Sequence, residues 1–233
     1  MTGRRDRTKS TAADRVYLEI RKGIIAGAYA VSERLTEGAL AEQMNVSRTP
    51  VREALQKLAS DGFVEFTPHA GALVKGWSRR DVREIFEVRA NLESMGARLA
   101  AQNASDDDVE RLSSICDAME RTQRSQSDAL PAMSEFNKAY HAEILRIAGN
   151  RRLTGLALNL MDVGFLVRSY GAFSEGDVSR SLADHRSLVE ALKMRDGQWA
   201  EGVMRAHILA AASVFRGTET SVIPADAKRR RTR

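Results

Sequence analysis

Apolar residues recur at helical spacing through most of the chain, and the first sixty residues contain three such stretches. Residues 13–26 carry Val16, Ile20, Ile24 and Ile25, which follow a helical period and predict a helix that Gly27 ends. A second, shorter helix fits residues 36–44. A third follows Asn45, within the run NVSRTPVREALQKL. Three short helices are therefore predicted at the start of the chain.

The pattern changes after the third helix, where β-forming residues cluster on either side of a turn. The runs GFVEF and ALVKG flank TPHAG, whose Pro68 and Gly71 are turn-forming residues. Two short strands joined in this way predict a β-hairpin. Three helices followed by a hairpin are the elements of a winged helix-turn-helix, which we place at residues 13–76.

From Ser78 onward the strand signals disappear, and amphipathic helices follow one another. Their predicted bounds are 79–102, 105–124, 131–148, 151–170, 177–195 and 197–216. The breaks carry residues that cap or end helices, among them Ser105, Pro131 and Gly149. The sequence therefore predicts a mainly α protein, in which an all-α bundle of about six helices over residues 77–217 follows the winged helix-turn-helix.

The basic residues are unevenly placed, which bears on the expected partner. The formal net charge is +5, and the excess lies toward both ends of the chain. A basic N-terminal part suits a nucleic-acid partner. Residues 1–12 and residues 218–233, which end in KRRRTR, fit disordered basic tails that favour solubility.

Neither a membrane span nor a disulfide is expected. No apolar run approaches the roughly 18 residues that a span requires, and the basic start of the chain is not followed by an apolar signal core. We therefore expect a cytoplasmic protein with no membrane partner. The single cysteine, Cys116, cannot form an internal disulfide and fits a small buried thiol.

The third helix has one packing face and one polar face. Its predicted outward residues are Arg48, Thr49, Arg52 and Gln56. Ahead of it, Asn45 is among the few residues other than glycine that adopt the left-handed backbone required by the turn. Ser47 or Thr49 could cap the helix. Arginine at such an end can bond guanine O6 and N7, while hydroxyls and free amides can bond phosphate oxygens.

Three of the four histidines fall on apolar faces of predicted bundle helices. They are His141, His185 and His207. His141 follows Asn137 by one turn, so both project from the same flank. Imidazoles on facing helices can form a site for Zn²⁺ or a similar divalent ion. Each histidine could instead be a core residue hydrogen-bonded to a neighbour, and the residues alone leave this open.

Arg89 stands in the middle of an apolar helical stripe. A buried guanidinium requires an anion. Glu93, one helical turn further on, could provide it.

The N-terminal region resembles the winged-helix domain of GntR-type bacterial transcription regulators. The resemblance is carried by LAEQMNVSRTPVREALQKLASDGFVEFTPHAGALVKG with the preceding IIAGAYAVSERL, and VSRTPVREAL is its most specific part. It implies that Arg48 and Arg52 read bases. It also implies that Ser47 and Thr49 contact the DNA backbone, with Gln56 on the same face.

In the same family the hairpin approaches the adjacent minor groove, which here implies a contact from the segment between His69 and Gly71. Two positions depart from the family's pattern. Ser32 stands where a glycine is usual, and Gly38 stands where a basic or polar residue is common.

The C-terminal region resembles the FCD ligand-binding domain of the FadR-like GntR subfamily. The resemblance is carried by EIFEVRANLESMGARLAA, by NKAYHAEILRIAGNRRL and by the two later histidines, 22 residues apart. Metal-binding members use an aspartate or asparagine, a histidine one turn later and two further histidines. The matching residues are Asn137, His141, His185 and His207. The resemblance therefore implies a divalent metal ion, with zinc expected before nickel or another metal, and a small carboxylate effector held by Arg89.

Together these features predict a metabolite-responsive transcription regulator of the repressor type. It would bind near-palindromic operator DNA as a homodimer and sense a small organic acid through the metal-containing bundle. The alternative is a DNA-binding protein whose helical domain serves only for dimerisation. An enzyme is disfavoured, because no acid-base carboxylate at a metalloprotease spacing such as HExxH accompanies the histidines.

Overall fold

The structure is a computed structural model, and its chain divides into two compact units at residues 77 and 78. The residues that it describes are 11–25, 27–68, 70–76, 79–124, 129–161 and 173–213. The N-terminal unit is described over 11–76 with two single-residue gaps, and the C-terminal unit over 79–213 with two longer gaps.

The N-terminal unit combines three helices with a small antiparallel sheet. Its helices are α1 (Ala12–Ile25), α2 (Glu37–Gln43) and α3 (Arg48–Ser60), and its strands are β1 (Arg34–Leu35), β2 (Val64–Thr67) and β3 (Gly71–Val74). The strand order is β1-β3-β2. Strands β2 and β3 form the predicted hairpin. Strand β1 was not predicted, because two residues are too short to show an alternating pattern.

The core of this unit lies between the helices and the sheet. The helical wheel places four apolar residues of α3 on its inner face. All four are buried: Val51, Ala54, Leu55 and Leu58. They pack against α1, whose Val16 and Ile20 are also buried. Burial of one face leaves the opposite face of α3 exposed, as predicted.

Two backbone positions in this unit adopt the left-handed conformation without being glycine. Asn45, in the turn between α2 and α3, has φ +52°, which confirms the prediction for the turn. Ser32, the departure from the family's usual glycine, has φ +64°. The predicted cap by Ser47 is wrong: Ser47 occupies the N-cap position of α3, but its side chain makes no capping hydrogen bond among the described residues.

The C-terminal unit is an all-α bundle, which confirms the predicted fold class. Its described helices are α4 (Arg79–Asn103), α5 (Asp106–Arg124), α6 (Ala129–Ile147), α7 (Arg151–Met161), α8 (Glu175–Lys193) and α9 (Gly197–Ser213). Helix α4 packs against α6, α7, α8 and α9 and is therefore central. Pro131 was predicted at the break before α6, but it lies in the first turn of that helix. Proline is tolerated there because the backbone N–H groups of the first turn have no partner within the helix.

The ends of the bundle helices carry the expected local signals. Ser105 accepts a hydrogen bond from the backbone N–H of Asp108 at 3.2 Å, and its own N–H donates to the Asp108 carboxylate at 3.0 Å. Ser174 and Asp177 make the same reciprocal pair at the start of α8. Gly149, between α6 and α7, has φ +70°.

Some predicted features lie outside the described residues. They include the part of the fourth bundle helix beyond residue 161, the end of the last helix beyond residue 213, most of the N-terminal tail and the whole C-terminal tail. Ala12, placed in the tail by prediction, is the first residue of α1. Within the described part of the chain, every helix is too short or too polar to cross a lipid bilayer.

Candidate functional site

Three histidines from three different helices meet inside the bundle. They are His141 on α6, His185 on α8 and His207 on α9, and all are buried. Their ring centroids lie 5.5, 5.2 and 4.6 Å apart. One ligand nitrogen from each lies within 4.8 Å of the others. The bundle thus brings together the three histidines that the sequence placed on inward faces.

Several nitrogen and oxygen atoms that could bind a metal ion have no hydrogen-bond partner among the described residues. They are Asn137 Oδ1, His141 Nε2, His185 Nδ1 and His185 Nε2. Leaving a buried polar atom unpaired costs roughly 1–3 kcal/mol, so such atoms rarely accumulate in a core by chance. Three imidazoles and an amide oxygen are suitable ligands for a divalent first-row ion. The donor set therefore fits a metal ion.

Burial favours the neutral form of two of the imidazoles, those of His141 and His185. Burial lowers the pKa of His185 well below its usual value, and the neighbouring His207 and His141 lower it further. Burial also lowers the pKa of His141, although Glu93 opposes this. Neutral imidazole is the form that binds metal, so the lowered pKa values of His141 and His185 favour metal binding.

Arg89 and Glu93 form a fully buried ion pair beside the histidines. The Arg89 side chain is 2% exposed and that of Glu93 is 1% exposed, and Arg89 Nε donates to Glu93 Oε1 at 2.7 Å. The second oxygen of Glu93 lies 2.6 Å from His141 Nδ1. The pairing with Arg89 follows from the four-residue spacing, whereas the link to His141 was not predicted. It joins α4 to α6, and sequence spacing carries no signal for such a contact.

A small cavity of about 20 Å³ adjoins the cluster. Its lining includes the predicted residues Arg89, Asn137, His141 and His207, together with Phe86 and Arg180. Asp184, which sequence reasoning missed, also lines it and lies 3.3 Å from His207 Nδ1. The volume suffices for one water-sized group. Arginine and imidazole groups thus converge on one confined space.

The predicted DNA-reading side chains lie on the exposed face of α3. All five of these residues are exposed: Ser47, Arg48, Thr49, Arg52 and Gln56. Arg52 donates to both oxygens of Glu37 on α2, an interaction that the sequence analysis did not foresee. Gly38 on α2 lies near the side chain of Arg48. A Cβ added at Gly38 would be 3.8 Å from Arg48 Nη2.

Of the predicted hairpin contacts, His69 lies outside the described residues, and Gly71 is buried. Gly71 has φ +85°, and a Cβ added to it would lie 2.3 Å from the carbonyl oxygen of Leu35. The position requires glycine so that β3 can approach the chain at Leu35. The need for glycine therefore has a structural explanation that is independent of DNA.

Comparison with known proteins agrees with this architecture. Residues 12–74 match the model of the bacterial regulatory proteins of the gntR family, and residues 84–210 match that of the FCD domain. The chain is 28% identical over 194 residues to the gluconate operon transcriptional repressor of Bacillus subtilis (81% of this chain, 79% of the relative). It is 28% identical over 198 residues to the transcriptional repressor RspR of Escherichia coli (83% and 84%).

A solved structure shows the same fold. E. coli McbR/YncC superposes with a TM-score of 0.73 at 22% identity, over 89% of this chain and 98% of that one. The two family matches together cover the winged helix and the bundle that carry the surfaces described above. The chain therefore belongs to the GntR family of bacterial regulatory proteins, carries an FCD domain, and is a transcription regulator and not an enzyme.

Proposed function

We propose that the protein is a metabolite-responsive repressor. It binds near-palindromic operator DNA as a homodimer through the winged helix, and it senses a small carboxylate at a metal ion in the bundle. One observation is the main support for the sensor function. Buried nitrogen and oxygen atoms without hydrogen-bond partners among the described residues come together beside a cavity that Arg89 lines. A helical domain that served only for dimerisation would have no use for such a cluster.

The DNA-binding part is supported by the division of α3 into two faces. The buried face fixes the helix on α1, so the exposed face is presented as a rigid surface. Arg48 and Arg52 are proposed to read bases in the major groove, and Ser47 and Thr49 to contact phosphates. The hydroxyl of Ser47 makes no cap within its own helix, which supports this role.

The metal part rests on the chemistry of four side chains. Asn137, His141, His185 and His207 are proposed as ligands of one divalent ion, with zinc or nickel the first candidates. When bound, such an ion supplies positive charge and coordination positions for oxygen ligands. All four proposed ligands would bind the ion as neutral side chains, so the charge of the ion would favour an anionic effector.

The effector is proposed to be a small carboxylate. Arg89 lines the cavity, and a guanidinium can donate two parallel hydrogen bonds to a carboxylate. At about 20 Å³ the cavity does not hold an organic acid without movement of its lining, so effector binding requires local rearrangement. One relative is a repressor of a gluconate operon, and gluconate is itself a small carboxylate.

Repression and dimerisation are proposed from the relatives and from symmetry. Two of the relatives are transcriptional repressors. A two-fold dimer matches the symmetry of a near-palindromic operator. We propose a cytoplasmic location, because operator DNA lies in that compartment in bacteria. Effector binding in the bundle then changes operator affinity without touching the base contacts.

The test combines metal content, effector response and operator binding. Operators are selected in vitro from random DNA, and protein purified without chelators is analysed for bound metal and screened by thermal unfolding against small carboxylates. We expect about one ion per chain, because the described part of the chain contains one such set of ligands. A carboxylate at 100 times its Kd should add about 2.7 kcal/mol of stability and weaken operator binding. A dimeric, operator-binding protein with neither metal nor carboxylate response would support the purely structural bundle instead.

A further inference from the structure

One buried carboxylate connects the two functional parts of the proposed sensor. Glu93 lies on α4 and is 1% exposed. Its Oε1 accepts a hydrogen bond from Arg89 Nε at 2.7 Å, and its Oε2 lies 2.6 Å from His141 Nδ1. One partner is the proposed effector anchor and the other is a proposed metal ligand. The two oxygens of Glu93 are thus divided between the two ligand-binding groups.

The contact with Glu93 decides which nitrogen of His141 carries hydrogen. Glu93 forms a buried ion pair with Arg89, whose guanidinium stays protonated. The paired carboxylate has no hydrogen to donate and can only accept hydrogen bonds. His141 must then carry its hydrogen on Nδ1. This leaves the lone pair on Nε2, which is buried without a hydrogen-bond partner.

The same carboxylate orients Arg89. It engages one of the five N–H donors of the guanidinium, through Nε, and the other four belong to the two terminal nitrogens. Because the guanidinium is planar and rigid, holding Nε also limits where the terminal nitrogens lie. Glu93 further offsets the charge of Arg89, which would otherwise be buried and uncompensated next to a metal cation.

We propose that Glu93 is a positioning residue for both ligands of the sensor: it presents Nε2 of His141 to the metal ion and holds Arg89 in place for the effector carboxylate. This inference rests on the proposed sensor function. It assigns Glu93 a role that a simple internal ion pair would not have, because an ion pair with Arg89 alone would leave the tautomer of His141 undetermined.

The first experiment compares Glu93→Gln with a matched control. A glutamine amide has one accepting and one donating end, so it cannot accept from Arg89 and His141 together. The control is Glu120→Gln, which removes the charge of a carboxylate that accepts from Arg186 Nε at 2.7 Å between α5 and α8, away from the cavity. We expect zinc affinity, measured by competition with a chelating dye, to fall about 10–100-fold in Glu93→Gln and to change less than about twofold in the control.

The second experiment uses the unsubstituted protein and therefore holds even if Glu93→Gln does not fold. Nitrogen-15 NMR of the metal-free chain should show His141 with its hydrogen on Nδ1 and an Arg89 Nε–H protected from solvent exchange. A hydrogen on Nε2 of His141, or wild-type zinc affinity in Glu93→Gln, would overturn the role of Glu93 alone. A wild-type protein that binds operator but no zinc would overturn this role together with the proposed metal sensor.

Discussion

Arg52 on the exposed face of α3 donates two parallel hydrogen bonds to Glu37 on α2, from Nε at 2.8 Å and from Nη2 at 2.7 Å. Two of its five N–H donors are engaged in this way, and three remain on Nη1 and Nη2. The pair is therefore compatible with the proposed bond from Arg52 to a guanine. Glu37 limits the motion of a long side chain, which lowers the entropy that this side chain would lose in the proposed contact with DNA.

Arg52→Ala should weaken specific operator binding by about 1–3 kcal/mol and leave the fold intact, because the side chain is half exposed and does not belong to the core. A gel-shift titration with the selected operator and a scrambled duplex measures the change. Arg152→Ala, which removes an exposed arginine from α7 in the bundle, is the control for general charge effects. Equal operator affinity of Arg52→Ala and the parent protein would rule out the recognition role.

His185→Ala should abolish metal retention and leave operator binding by the metal-free protein largely unchanged. Both ring nitrogens of His185 are buried without a partner among the described residues, so the ring contributes no hydrogen bond that the metal-free fold would lose. Metal analysis and thermal unfolding with and without zinc measure the effect. The zinc-dependent increase in stability should disappear. Retention of stoichiometric zinc by this variant would show that the ion binds elsewhere.

Arg89→Lys should keep the metal and lower effector affinity by about 1.5–3 kcal/mol, because lysine retains the charge but not the planar pair of donors. Alanine is less informative at this position, since it leaves Glu93 as an unpaired buried charge at a cost of about 3–5 kcal/mol. Titration calorimetry with the carboxylate identified by screening gives the affinity. An unchanged affinity would exclude Arg89 from the effector site.

Gly71→Ala should destabilise the N-terminal unit by about 2–4 kcal/mol. Alanine would have to adopt the left-handed backbone of this position, and its methyl group would clash with the Leu35 carbonyl oxygen. Gly155→Ala is the matched control, because Gly155 lies in α7 and a Cβ there would meet no atom of the described residues within 4 Å. This variant should instead stabilise the protein by about 0.5–1 kcal/mol. Denaturant unfolding measures both. Loss of DNA binding by Gly71→Ala would then reflect folding and could not be assigned to a missing contact.

Asp108→Asn should reduce stability at pH 7 by about 1 kcal/mol, with a difference that shrinks as the pH falls below about 4. Hydrogen bonds from the backbone and hydroxyl of Ser105, followed by the interaction with Arg146, hold the pKa of Asp108 below its usual value. A lowered carboxyl pKa contributes stability that is present above the unfolded-state pKa and is lost on acidification. Urea unfolding from pH 7 to pH 3 measures it. Asp107→Asn, at an exposed position in the same first turn, should show a smaller effect across this range.

The local features of the fold were predictable because neighbouring residues produce them. The period of the apolar residues sets the buried faces of α3 and of the bundle helices. Asn45 acts through its own backbone, and Ser105 caps the backbone N–H of a residue three positions further on, so their roles could be assigned without a distant partner. The inward placement of the three histidines follows from the same helical period. The sequence therefore determined which histidines face the interior, together with the family signature of the DNA-binding helix.

The tertiary structure alone decided which of these side chains meet across elements. The contact from Glu93 to His141 and the pair between Arg52 and Glu37 depend on how helices lie against one another, and helical period does not specify that. Strand β1, whose Leu35 pairs with Ala72 of β3, is likewise too short to show an alternating pattern in the sequence. In each case the interaction joins residues far apart in sequence, and its energy comes from the packing of whole helices and strands. The periodicity of the chain placed the histidines on inward faces, but only the packed bundle placed their nitrogens within 4.8 Å of one another.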